Sequence, residues 1–67
     1  MDFKNRFNEI LKTCGKTQTQ IAKELNVSKQ CVNDYKKGKI TPSLETLYLL
    51  CKCLDVSSDY LLGLKDF

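Results

Sequence analysis

A chain of 67 residues can build one hydrophobic core but not two, so a single domain over residues 1–67 is expected. Its 42% hydrophobic and 28% charged residues match a folded globular protein, which excludes disorder, and no apolar run approaches the roughly 18 residues of a membrane span. The net charge of +3 comes with no histidine, no glycine-rich phosphate loop and no clustered carboxylate pair, so the composition argues against catalysis.

Phe3, Phe7, Ile10 and Leu11 recur at helical spacing and predict a first helix over residues 2–13, capped by Asp2 and closed near Gly15. Thr17 is a good N-cap for a short second helix over residues 18–25, with Ile21, Ala22 and Leu25 turned inward. Asn26 follows, one of the few non-glycine types that tolerate the left-handed conformation. Ser28 is the next N-cap. It opens a third helix over residues 29–37, with Val32 and Tyr35 inward and Gly38 at its end. After the loop Lys39-Ile40-Thr41-Pro42, Ser43 caps a fourth helix reaching about Leu54, whose Leu47, Leu50, Cys51 and Leu54 form one apolar stripe. Asp55-Val56 turns the chain, and Ser57 or Ser58 caps a fifth helix over residues 59–62, stopped by Gly63. Strand alternation is absent, so the fold class is all-α.

Four cysteines, Cys14, Cys31, Cys51 and Cys53, lack the paired spacing of a zinc site, and the two in Cys51-Lys52-Cys53 point about 200 degrees apart on a helix. They read as reduced thiols, with Cys51 as a small core residue. The Met1-Asp2-Phe3 start carries no export signal, so a cytoplasmic location is expected, without cofactor, metal or small-molecule ligand. Charge is distributed unevenly. Between Lys12 and Lys39 seven lysines face two acids, whereas from Ile40 onward two lysines face four acids. One surface is therefore expected to meet a polyanion.

The chemistry concentrates between Gln18 and Lys37. A helix-turn-helix needs a small residue where its helices cross, and Ala22 supplies it. Its turn needs a position free to take positive φ, and Asn26 is permitted there. Ser28 then leaves Lys29 and Gln30 facing outward, with Asn33 and Asp34 one turn later. Gln and Asn can pair with adenine, Lys with guanine, and Asp with the cytosine amino group. Thr17, Ser28, Lys36, Lys37 and Lys39 are placed for phosphates. Asp34 is the awkward member, because a carboxylate beside DNA is repelled unless a donor meets it.

The stretch from Thr17 to Gly63 resembles the Cro/cI-type (XRE) helix-turn-helix family of phage repressors and small bacterial regulators. The resemblance rests on Thr17-Gln18, Ile21-Ala22, Val27-Ser28, Val32, Gly38, Pro42-Ser43, Leu54, Val56-Ser57 and Asp59-Tyr60-Leu61-Leu62-Gly63. It implies a lambda-repressor-like fold of five short helices whose second and third form the motif. Gln18 would then hold a phosphate, and Lys29, Gln30, Asn33 and Asp34 would read bases. It further implies a transcriptional regulator, expected to be a repressor, that binds double-stranded DNA at a palindromic operator as a homodimer.

Many members carry glycine where Asn26 stands, and many pair an arginine late in helix one with a glutamate near the end of helix three. Here those two positions are Leu11 and Lys36, so Leu11 is expected to pack on the Lys36 stem. Cys31 is expected as an exposed thiol near thymine methyl groups. The dimer surface is expected at the C-terminal end, from Tyr60, Leu61, Leu64 and Phe67. The competing reading is a protein-interaction module, such as an antitoxin or accessory factor, built on the same scaffold.

Overall fold

The computed structural model describes residues 1–66 and holds five helices: α1 (Phe3–Thr13), α2 (Gln18–Leu25), α3 (Lys29–Lys37), α4 (Leu44–Leu54) and α5 (Ser58–Leu61). No strand occurs among the described residues, and no helix there is long and apolar enough to cross a membrane. The helices start and stop where local chemistry dictates. Thr17, Ser28, Ser43 and Ser57 each sit in extended backbone and accept the amide N–H three residues on, satisfying donors that a helix start leaves free. Thr17 goes further. The Gln20 side chain accepts the Thr17 amide at 2.9 Å while the Thr17 hydroxyl accepts the Gln20 amide at 3.1 Å, a reciprocal box.

Asp2 does not cap α1 as its position suggested. Its carboxylate instead accepts from the Asn5 side chain at 2.8 Å and pairs with Arg6 at 3.6 Å. The Asp2 backbone, at φ −117° and ψ 33°, is not in the extended conformation of the other caps, and Arg6 gathers Asp2, Asp66 at 3.1 Å and the face of Tyr60, 4.7 Å from the ring centre. Helix five also runs one residue earlier than the periodicity predicted, because Ser57, not Ser58, is its cap.

At the far ends, α2 and α3 close with the same device. Asn26 at φ 58° and Gly38 at φ 75° turn left-handed, and the next residues, Val27 and Lys39, return their amides to Ala22 and Asp34. Asp55 does this for α4 at φ 55°, at the turn expected for Asp55-Val56.

Helix α2 packs on α3 and α4, while α1 packs on α3 and α5, so α3 is held from two sides. The core consists of Phe3, Phe7, Ile21, Ala22, Leu25, Val32, Tyr35, Leu50, Leu54 and Leu61. Phe3 stacks on Phe7 at 5.3 Å, and both meet Tyr35 edge-on at 6.2 Å. Each such buried ring contributes about 1.5–3 kcal/mol through burial, with about 0.5–1.5 kcal/mol more per aromatic pair. Leu47 and Cys51 of the α4 stripe are only half-buried.

A polar cluster ties the loop before α2 to the end of α4. Lys16 donates to both Glu24 oxygens at 3.0 Å and to the Cys53 carbonyl at 2.9 Å, while the Cys53 thiol donates to Glu24 at 2.9 Å. The thiol and then Lys16 hold the Glu24 carboxyl below its ordinary value, and Glu24 raises Lys16. Burial, then the bond to Glu24, pushes the Cys53 thiol from 9.0 up to about 11. Burial likewise pushes Tyr35 from 10.0 up to about 12, helped by Cys31.

In the alkaline range the folded chain therefore keeps protons that the unfolded chain loses, and stability must fall as pH rises. Urea unfolding should show a loss that begins near pH 9 and deepens through about 11, the window set by Cys53. In Cys53→Ala the decline above pH 9 should be shallower, with the remainder coming from Cys51, which burial also raises, and from Tyr35. An unchanged slope between pH 9 and about 11 would show that Cys53 is not its source.

Candidate nucleic-acid interface

The outer face of α3 follows from its inner one. Val32 and Tyr35 are buried, which turns Lys29 and Gln30 outward into solvent and leaves Asn33 and Asp34 half-covered on the same side. Gln18, at the first position of α2, joins Lys29, Gln30 and Asn33 around one open cleft of about 250 Å³. Four residues singled out from sequence thus come together. Asp34 belongs to the group by a different route, since it accepts a hydrogen bond from the Gln30 amide nitrogen at 3.0 Å. That donor, four residues earlier on the same helix, answers the awkwardness of a carboxylate on this face.

Cys31 departs from expectation. It is half-buried and packs against the core cluster that holds Val32 and Tyr35. The side chain therefore faces the core side of α3 and not the bases. Its position one turn before Tyr35 explains the direction, because residues four apart share a helix face.

The phosphate candidates lie around this face. Thr17 and Ser28 are exposed, although their hydroxyls already accept backbone amides. Lys37 and Lys39 are exposed and Lys36 is half-buried. None of Lys29, Lys36, Lys37 and Lys39 has an ion-pair partner among the described residues. Lys16, by contrast, is committed to Glu24 and contributes little free charge.

Lys4 escaped the sequence patterns, because the first eleven residues balance in charge. The fold lays its stem against Gly38, where an added Cβ would meet the Lys4 side chain at 2.9 Å, and it too lacks an ion-pair partner among the described residues. No spacing rule along the chain could have paired residues 4 and 38.

What holds α3 is the second omission. The Asn8 side-chain amide donates to the Lys4 carbonyl at 2.8 Å and to the Lys36 carbonyl at 2.9 Å. Lys36 carries one of the last four carbonyls of α3, which have no partner within the helix. A single neutral amide thus fastens α1 to the end of α3. Leu11 is half-buried and packs on the core.

At the C-terminal end the predicted dimer residues divide. Leu61 is fully buried in the core and offers no surface to a partner, a correction to its assignment. Tyr60 is half-buried beneath Arg6. Leu64 stays 71% exposed, and Phe67 lies outside the described residues.

A family model described as Helix-turn-helix matches residues 8–61. The chain is 35% identical over 66 residues to the HTH-type transcriptional regulator ImmR of Bacillus subtilis, covering 98% of this chain and 51% of that protein. It is 33% identical over 63 residues to the cryptic phage CTXphi transcriptional repressor RstR of Vibrio cholerae, covering 94% of this chain and 56% of that protein. It is 40% identical over 60 residues to YonR, an SPbeta prophage-derived HTH-type regulator of Bacillus subtilis, covering 84% and 56% respectively. The chain thus spans about half the length of the curated relatives it matches. No solved structure gives a significant match.

Replacing Asn8 tests the fastening of α3. Asn8→Ala should lower stability by about 1–2 kcal/mol, since a half-buried carbonyl loses its donor. In a domain this small that corresponds to a melting point lower by roughly 4–8 °C per kcal/mol. Asn8→Asp should cost more, because it turns an acceptor toward two carbonyls. A melting point unmoved by either change would remove Asn8 from this role.

Proposed function

Because the chain belongs to the Cro/cI-type (XRE) helix-turn-helix family, we propose that it is a DNA-binding transcriptional regulator whose α3 enters the major groove of double-stranded DNA. The observation that carries this reading is the single face on which Gln18, Lys29, Gln30 and Asn33 converge, bordered by lysines without ion-pair partners among the described residues. An α-helix fits the major groove, and those side chains match base edges there. Lys29, Gln30, Asn33 and Asp34 are the base-reading set. Gln18, the hydroxyls of Thr17 and Ser28, and the ammonium groups of Lys36, Lys37 and Lys39 contact phosphates. Lys4 joins them through its position against Gly38.

The regulator acts as a repressor on a palindromic operator. Two such small domains related by a two-fold axis would set equivalent α3 helices about one turn of DNA apart, roughly 34 Å. The pairing surface is the end that carries exposed Leu64, with Tyr60 at its edge. The competing reading, a protein-interaction module such as an antitoxin or accessory factor, would use the outer face of α4. There Leu44 is 85% exposed and Tyr48 59%.

Selection from a random DNA pool separates the two readings, since a palindromic winner supports a dimeric operator binder and no enrichment supports the interaction module. Against the selected site, Lys36→Ala and Lys4→Ala should each weaken binding to all sequences alike and reduce the slope of affinity against salt by about one. A loss confined to one sequence would place those lysines at bases instead. Leu64→Asp should shift the sedimentation profile toward monomer, and an unchanged profile would exclude the Leu64 end.

A further inference from the structure

On the outer face of α3, Gln30 and Asp34 are joined. The Gln30 amide nitrogen donates to Asp34 Oδ1 at 3.0 Å, one helical turn away. Both residues stand outside the core, and neither makes any other side-chain hydrogen bond among the described residues. Asp34 also has no lysine partner within ion-pair distance, although Lys29, Lys36 and Lys37 share its helix. The carboxylate is therefore matched to the amide alone.

A primary amide has two N–H donors and one carbonyl acceptor. Left free, it can present donor and acceptor to adenine, or both donors to the paired acceptors of guanine. Once one N–H is committed to Asp34, a single N–H and the carbonyl remain. That remainder complements adenine, whose groove edge offers the N7 acceptor beside the N6 donor. It does not complement guanine, whose O6 and N7 both want donors. The second Asp34 oxygen acts in the same sense, since a carboxylate attracts an exocyclic amine and repels the O6 and N7 acceptors.

Resting on the reading of α3 as the recognition helix, we propose that Gln30 and Asp34 form one recognition unit in which Asp34 fixes the Gln30 amide so that it accepts adenine and rejects guanine. Gln30 makes the base contact. Within the base-reading set Asp34 acts as a positioning residue, through the hydrogen bond it accepts from Gln30. The unit also explains why an acidic side chain is tolerated on a face otherwise bordered by lysines: its cost in phosphate repulsion is offset by discrimination at one base pair.

The test is a selection from random duplex DNA with the wild-type chain and three variants, Asp34→Ala, Asp34→Asn and Gln30→Ala, each checked by circular dichroism for unchanged helix content. The wild-type chain should enrich adenine over guanine at one position per half-site, by roughly 5- to 150-fold, the range a bidentate pair supplies. Asp34→Ala frees the amide and should bring that ratio close to one at that position only, while raising affinity for all sequences by removing a charge. Asp34→Asn keeps an acceptor for Gln30 and should restore most of the adenine preference. Gln30→Ala should abolish it.

An enriched site whose adenine position is indifferent to Asp34→Ala overturns the unit and leaves the recognition helix standing. The unit is equally overturned if Asp34→Asn behaves like Asp34→Ala, or if guanine is preferred at the position lost in Gln30→Ala. Absence of any enriched sequence with the wild-type chain overturns the DNA-reading assignment itself, and the unit with it.

Discussion

A short helix that presents polar side chains to a ligand cannot rely on its own stability, because isolated helices of this length are marginal in water. Helix α3 has nine residues, so its position depends on what grips its inner face and its ends. The inner face is gripped by aromatic packing, with Tyr35 set edge-on to both Phe3 and Phe7. The N-terminal end is fixed by Ser28. The C-terminal end is fixed twice: the left-handed Gly38 folds the chain back, and the Asn8 amide takes the Lys36 carbonyl. With both ends and one face committed, only the outer face is left to do anything else.

The neutral Asn8 link also has an electrostatic consequence. An ion pair between α1 and α3 would place a carboxylate among the lysines at the end of α3. Bridging two backbone carbonyls with an amide adds no charge, so Lys36 and Lys37 near the helix C-terminus are left without a local counterion among the described residues. Cations there also interact favourably with the helix dipole. Several acids of the chain are occupied elsewhere: Glu24 by Lys16, Asp2 and Asp66 by Arg6, and Asp59 by Lys65. The net charge of +3 thus understates the positive character of the α3 side.

Sequence patterns reached the parts of this arrangement that local rules govern. Thr17, Ser28 and Ser43 cap as their types and positions require, and Asn26 turns left-handed where the motif needs it. The box between Thr17 and Gln20 follows from a threonine with glutamine three residues later. What stayed illegible depends on contacts between distant residues. Asn8 looks like an ordinary polar residue of an amphipathic helix until α3 arrives beside it. Lys16 counts as basic in any window, yet Glu24 and Cys53 neutralise its role. Asp2 has the right type to cap α1, but its carboxylate is taken by the side chains of Asn5 and Arg6. Leu61 could not be told from its neighbours because a four-residue helix is too short for periodicity to assign an inner face.

The same distinction explains why the recognition face was easier to locate than to interpret. Location follows from burial: once Val32 and Tyr35 turn inward, helical geometry places residues 29, 30, 33 and 34 on the outside. Interpretation depends on how those side chains bond to one another, because hydrogen-bond capacity used within the protein is withdrawn from the ligand. Taken singly, Gln30 can serve adenine or guanine and Asp34 can serve cytosine. Joined at 3.0 Å, they no longer offer the sum of those options. Residue type at each position therefore limits what a recognition helix can bind, but the bonds between its own side chains decide which of the permitted choices it makes.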